Sequence, residues 1–191
     1  MSRVRLVAKE QAPPEVKDTF QKMESRGARV LNLHKAVASS PYVLRDFIRL
    51  GNSLLAQTEL EPKLRELAIL RVAKLSGSEY EWTQHVPIAL EMGVTKEQVA
   101  AVSNWKAPAI FSDLERAVLE YTDEVAKSVE VKDKTFAALQ KHLSEQSIVE
   151  LTLSIGYWGM VARVLVPLQI EVEAQPVGTA KDLLGSRVEH K

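Results

Sequence analysis

PKLRELAILRVAKLSG, Pro62 to Gly77, runs directly into SEYEWTQHVPIALEMG, Ser78 to Gly93, and the reading of these two stretches decides the fold class. In the first, Leu64, Leu67, Ala68, Val72 and Leu75 share one helical face, and Ile69, Leu70 and Ala73 share another. A helix apolar nearly all round belongs in a core. Pro62 suits a first turn and Gly77 a left-handed cap. In the second stretch Glu81, His85, Ile88 and Met92 fall on one stripe with Ala89 beside them. The polar pair therefore continues a line of inward-facing side chains.

The same signals extend along the chain. Pro13-Pro14 opens a polar amphipathic helix ending near Gly27, and VLNLHKAVASSP, reaching Pro41, reads as a second helix. From Tyr42 to about Ala56, Val43, Phe47, Leu50 and Leu54 recur at helical spacing. Thr95 with Gln98, and Ser112 with Glu115, have the spacing of capping boxes. Asp133 to Leu143 reads as a short helix and Ser147 to about Glu171 as a long last one. The expectation is an all-α, single-domain bundle over residues 1–191, with extensions at 1–12 and 172–191 that are loose or wrap a neighbouring subunit.

Composition bounds the function. The 191 residues are 46% hydrophobic, enough to bury a core, and only 6% aromatic. Lys plus Arg and Asp plus Glu are both 25, so no global field recruits nucleic acid or an anionic membrane. The absence of cysteine excludes disulfides, thiolate metal sites and a cysteine nucleophile. The N-terminal stretch lacks an apolar run of secretory length, which points to a cytoplasmic protein. Leu151 to Ile170 could tempt a membrane reading, but it carries Arg163 and Gln169 and reads better as a bundle helix.

The candidate chemistry lies where polar groups enter apolar faces. Glu66, one turn before Ile69 and Leu70, needs a partner or a proton once buried; a buried Arg would make it structural only. Glu81 and His85, four apart, let a carboxylate hold an imidazole in one tautomer and favour its charged form, as a proton shuttle near neutral pH requires. Spacing of this kind also occurs in solvated pairs. Pro87 removes the amide that would bond the Thr83 carbonyl, so it kinks or restarts the helix beside His85. Trp82 and Tyr80 either wall a pocket or fill the core. Arg163, the sole charge in WGMVARVLVP, needs a carboxylate from the protein or from a substrate. His34 and His142 lie among polar neighbours and take no role.

LRELAILRVAKLSGSEYEWTQHVPIALEMGVTKEQVAAV, Leu64 to Val102, resembles the carboxymuconolactone decarboxylase family, which shares its helical fold with the alkylhydroperoxidase D proteins. With LERAVLEYTDEVAKS and SIVELTLSIGYWGMVARVL the resemblance extends over about Val30 to Glu171. The peroxidase branch carries a Glu, two cysteines and a His where this chain has Glu66, Ser78, Glu81 and His85. Its thiol chemistry cannot run here. The decarboxylase branch also lacks the cysteine pair and has a Glu four residues before the His.

That resemblance implies a lyase or isomerase acting without a cofactor or metal on a small carboxylated lactone or keto acid. In it Glu81 orients His85, His85 delivers a proton, Glu66 binds or polarises, and Arg163 receives a carboxylate. Ser78 is an inert stand-in for a thiol or, like Trp82, a substrate contact. It also implies a homo-oligomer: a dimer, trimer or hexamer. Two alternatives stay open: a divalent metal held by Glu66, Glu81 and His85, and a binding or structural member that has lost the chemistry.

Overall fold

The computed structural model describes residues 1–107 and 109–187. Among these residues every regular element is helical: α1 (Pro14–Glu24), α2 (Asn32–Val37), α3 (Pro41–Ala56), α4 (Pro62–Ser76), α5 (Glu79–Glu91), α6 (Lys96–Ala101), α7 (Asp113–Ser128), α8 (Asp133–Gln140), α9 (Glu145–Leu165) and α10 (Ala180–Leu184), with short 3-10 turns between some of them. Backbone contacts divide the chain into two compact units, Thr58–Arg163 and Met1–Gln57 with Val164–Lys191.

The Thr58–Arg163 unit is built around α4. Every residue from Leu64 to Ala73 is buried, as the two apolar faces require. α4 packs against α5 and α7. Leu67 and Leu70 join Ala89, Val94, Val102, Trp105, Phe111 and Leu119 in a core against which Trp82 and Val86 also pack. Three charged side chains enter this buried helix, and each needs an answer. Arg71 has a full one: its guanidinium donates to Asp123 through Nε (2.5 Å) and Nη2 (3.0 Å), and to the Val102 and Ser103 carbonyls.

Two residues join α4 to α5. Gly77 sits at φ +63°, the left-handed conformation that the absence of a Cβ favours. Ser78 then caps α5, its Oγ accepting from the Glu81 amide at 3.4 Å. A connection this short returns α5 along α4, and residues 19 apart in sequence come to hydrogen-bond distance. α5 runs unbroken from Glu79 to Glu91 with Pro87 inside it, so the helix does not restart there. The Thr95–Gln98 and Ser112–Glu115 capping boxes are both formed.

In the unit formed by Met1–Gln57 with Val164–Lys191, α1 buries Val16, Phe20 and Met23, and α3 packs with α1, α2 and α10. The buried face of α3 is Leu44, Phe47, Ile48, Gly51 and Leu54. Val43 and Leu50, expected on that stripe, are 54% and 45% exposed. Phe47 and Leu54 lie on both stripes, but the buried face is centred about 75° round the helix from Val43, at about 100° per residue, which leaves Val43 and Leu50 at its outer edge.

The last long helix is shorter than expected. α9 stops at Leu165 because Pro167 has no amide to donate and disfavours a helical conformation at Val166. The chain turns there, with Gln169 at φ +51° and the Ile170 amide on the Leu165 carbonyl. Nor is the C-terminal extension bare of apolar anchors. Val177, Ala180 and Leu184 are buried, and the Arg29 guanidinium donates to the Gln175 and Pro176 carbonyls. Gly185, at φ +64°, passes so close to the Arg26 carbonyl that a Cβ would lie 2.2 Å from its oxygen. Only glycine fits there. From Gln175 to Gly185 the segment lies against its own chain.

Candidate active site

α4, α5 and α9 bring one polar chain together inside the Thr58–Arg163 unit. Glu66 is wholly buried, and its Oε2 lies 2.9 Å from His85 Nδ1. On the other side of the ring, Trp158 Nε1 lies 2.9 Å from His85 Nε2, with the two rings edge to face at 5.5 Å between centroids. An indole nitrogen only donates, so Nε2 must present its lone pair. The neutral imidazole then carries its proton on Nδ1 and donates it to the Glu66 carboxylate. The expectation that Glu81 orients His85 is thus corrected: the imidazole is held from the neighbouring helix by Glu66. Both spacings allow a Glu–His contact, and only the packing of α4 on α5 selects between them.

Arg65 flanks the pair. Its Nε lies 3.5 Å from Glu66 Oε1, a Coulombic contact without a hydrogen bond of regular geometry, and burial lowers its pKa against the opposing pull of Glu66 and Glu150. Sequence reasoning named a buried Arg as the partner that would make Glu66 structural. Here Glu66 serves an Arg and the imidazole together.

Glu81 is the group left over. It is 2% exposed, and neither Oε1 nor Oε2 makes a hydrogen bond of regular geometry. Burial pushes its pKa up from 4.5 to about 7, against smaller opposing effects of the Ser78 hydroxyl and the His85 ring. A buried carboxyl that divides between its neutral and charged forms near pH 7 is a proton donor and acceptor in waiting. Ser154, one turn before Trp158 on α9, adds a buried hydroxyl without a hydrogen-bond partner. Arg65 Nε, Glu66 Oε1, both Glu81 oxygens and Ser154 Oγ therefore leave the same three helices with unmet polar atoms. Unmet buried polar groups are uncommon in folded proteins and concentrate where a ligand or water completes them.

Ser78 belongs to this region as the α5 cap, its hydroxyl next to Glu81. Two other expected contacts lie elsewhere. Trp82 is half-buried, packs against the hydrophobic core, and carries the Lys74 ammonium 3.5 Å above its ring. Arg163 is exposed and donates to the Gly159 carbonyl of its own helix at 2.6 Å. It stands five residues after Trp158, about 140° round the helix, so the face that carries Trp158 inward turns Arg163 outward. Its isolation in an apolar run was misleading. Part of that run faces out: Met160 and Val166 are 41% and 45% exposed. α9 is long and apolar enough to cross a membrane by length and composition, yet 56% of that window is buried within the protein.

Trp158 is the residue that sequence reasoning missed. A signal was present: a tryptophan deep in an apolar helix carries a donor that must find an acceptor when buried, and His85 is a buried side chain with one to offer. For the metal alternative, no group of three His, Cys, Asp or Glu side chains is placed to hold an ion among the described residues.

Residues 41–124 match the model of the carboxymuconolactone decarboxylase family. An uncharacterized protein of Escherichia coli (strain K12), YnjA, is 29% identical over 108 residues, 56% of this chain and 59% of that protein. This chain thus spans well under two thirds of that relative. Among solved structures, a protein of unknown function from Agrobacterium tumefaciens is 25% identical, with TM-score 0.68 over 73% of this chain and 96% of its own. An uncharacterized peroxidase-related protein from Ralstonia eutropha JMP134, with an alkylhydroperoxidase AhpD core, aligns with TM-score 0.79 at 18% identity over 99% of this chain and 98% of its own. The debrominase Bmp8, solved as a cysteine-to-alanine form with 2,3,4-tribromopyrrole, aligns with TM-score 0.72 at 20% identity over 91% and 95%.

Proposed function

From the premise that this cysteine-free chain carries a carboxymuconolactone decarboxylase family segment over residues 41–124, on an AhpD-like helical fold, we propose that it is an acid-base enzyme acting on a small lactone or keto acid, with Glu81 as the proton-transferring group. The observation that carries this reading is the Glu81 carboxyl, buried without a hydrogen bond of regular geometry and pushed up by burial to a pKa of about 7, one turn before a histidine held on both nitrogens. The role given to His85 by family resemblance passes to Glu81, because Nε2 of His85 is already engaged.

In a decarboxylation the bond to the departing carboxylate breaks, carbon dioxide leaves, and the electron pair enters the adjoining conjugated carbonyl as an enolate. The protonated Glu81 then gives its proton to that carbon and recovers one from water. In an isomerisation the ionised Glu81 takes a proton from one carbon and returns it to another. Glu66 fixes the imidazole beside Glu81. Arg163 takes no part. The cation next to these groups is Arg65, and it offsets the charge of Glu66.

The test is a thermal-shift screen of small carboxylated lactones and keto acids on the parent and on Glu81→Gln, followed by an assay of carbon dioxide release with any compound that stabilises the parent. Turnover by the parent, with loss of at least a hundredfold in kcat for Glu81→Gln at unchanged fold, is the expected result. A compound turned over equally by both proteins overturns the assignment of Glu81. Screening with zinc and manganese in parallel tests the metal alternative directly.

A further inference from the structure

The hydrogen bond from Trp158 to His85 fixes a nitrogen that the acid-base reading leaves idle. We infer that Trp158 is a positioning residue: its indole N–H holds His85 in the Nδ1-protonated tautomer and closes Nε2 to protons, so that proton traffic in the site runs through Glu81. This rests on the acid-base reading above but concerns a different group and is measured differently.

His85 has two nitrogens and both are spoken for, Nδ1 with Glu66 Oε2 at 2.9 Å and Nε2 with Trp158 Nε1 at 2.9 Å. A proton added at Nε2 would point an N–H at an indole N–H, two donors facing each other with no acceptor between them. The ring cannot rotate away cheaply. It is 5% exposed, Trp158 is 3% exposed, and Tyr157 stands edge-on to the indole at 5.0 Å between centroids. To charge the imidazole, the indole bond has to break in a buried setting, where an unmet donor is costly.

The groups around the imidazole are Glu66 with Arg65 from α4, Glu81 from its own helix, and Trp158 with Tyr157 from α9. Tyr157 is itself held in its neutral form by burial. Of the side chains touching the ring, Trp158 acts on Nε2, and it acts by hydrogen-bond polarity rather than by charge. Phenylalanine at 158 would keep an aromatic ring in place and remove the donor, together with one ring of the indole.

The experiment is nitrogen-15 NMR of the whole 191-residue chain, whose four histidines give a resolvable set of ring signals. In the parent at pH 7.5, His85 should show a protonated Nδ1, an unprotonated Nε2, and a nitrogen–nitrogen coupling across the hydrogen bond to Trp158 Nε1. In Trp158→Phe the coupling disappears, and at pH 6 the His85 ring is protonated at Nε2 to an extent about fivefold greater than in the parent, the equivalent of one net hydrogen bond. A parent spectrum with Nε2 protonated, or with no coupling to the indole, overturns the inference, and it does so even if Trp158→Phe fails to fold. Equal Nε2 protonation in both proteins also overturns it. If the screen above yields no substrate while the coupling is present, the catalytic reading fails and the role of Trp158 stands.

Discussion

Replacing Glu81 by Gln separates the burial of a carboxyl from the burial of a charge. The group's pKa rises from 4.5 to about 7 on folding, with burial as the main cause. A raised acid pKa means that the unfolded chain loses its proton first. Between pH 4.5 and 7 the unfolded state therefore binds fewer protons than the folded state, and stability falls as pH rises. The effect is absent below pH 4.5 and complete above pH 7. At about 1.4 kcal/mol for each tenfold change in the dissociation constant, the full effect is about 3 kcal/mol. The side chain is 2% exposed, so solvent screening takes little from it.

Glutamine keeps the shape and cannot ionise. The stability difference between Glu81→Gln and the parent should therefore grow in favour of the variant by about 2 to 3 kcal/mol between pH 5 and pH 8. Urea denaturation of both proteins at pH 5, 6, 7 and 8, followed by tryptophan fluorescence, measures it, and every other titrating group cancels in the difference. Two denaturation series that keep a constant offset over this range would refute the reasoning: Glu81 would then be ionised at its ordinary pH, held by a partner or by water.

Three further outcomes are expected. Glu66→Gln leaves the buried Arg65 guanidinium without its neighbouring charge and removes the anchor of His85; it should cost about 3 to 5 kcal/mol, read as a melting temperature lower by about 10 °C, and a change under 1 kcal/mol would contradict the packing described. Arg163→Ala removes an exposed side chain bound to its own helix and should stay within about 0.5 kcal/mol of the parent, with ligand affinity unchanged; a loss of binding would restore Arg163 to the site. His34, whose Nδ1 accepts the Leu31 amide at 3.1 Å, has its pKa lowered from 6.5 to about 4, by burial first and the Lys35 charge second. The unfolded state binds more protons in that window, so the stabilisation is complete above pH 6.5 and is lost as the pH falls towards 4; the parent should lose stability relative to His34→Asn over this range, and an unchanging difference refutes it.

The all-helical class, the buried α4, the Gly77 turn and both capping boxes were legible in the sequence because each is set by neighbours within a few residues. Periodicity marks an inward face, a missing Cβ permits a positive φ, and a side chain three residues away meets an unpaired amide. Glu66, Glu81 and His85 stood out for the same reason, as polar residues on faces that had to be buried. Their pairing was not legible. Whether His85 is held by Glu81 one turn away or by Glu66 on another helix depends on how α4 lies against α5, and helical spacing says nothing about that. Arg163 and Trp158 sit five residues apart on one apolar helix, and the sequence marked the charge as the more telling of the two. The tertiary structure decided otherwise, because only packing determines which side of an apolar helix meets a polar neighbour. A buried indole needs an acceptor that the chain supplies 73 residues away, whereas a guanidinium on the outer face is satisfied by a carbonyl of its own helix.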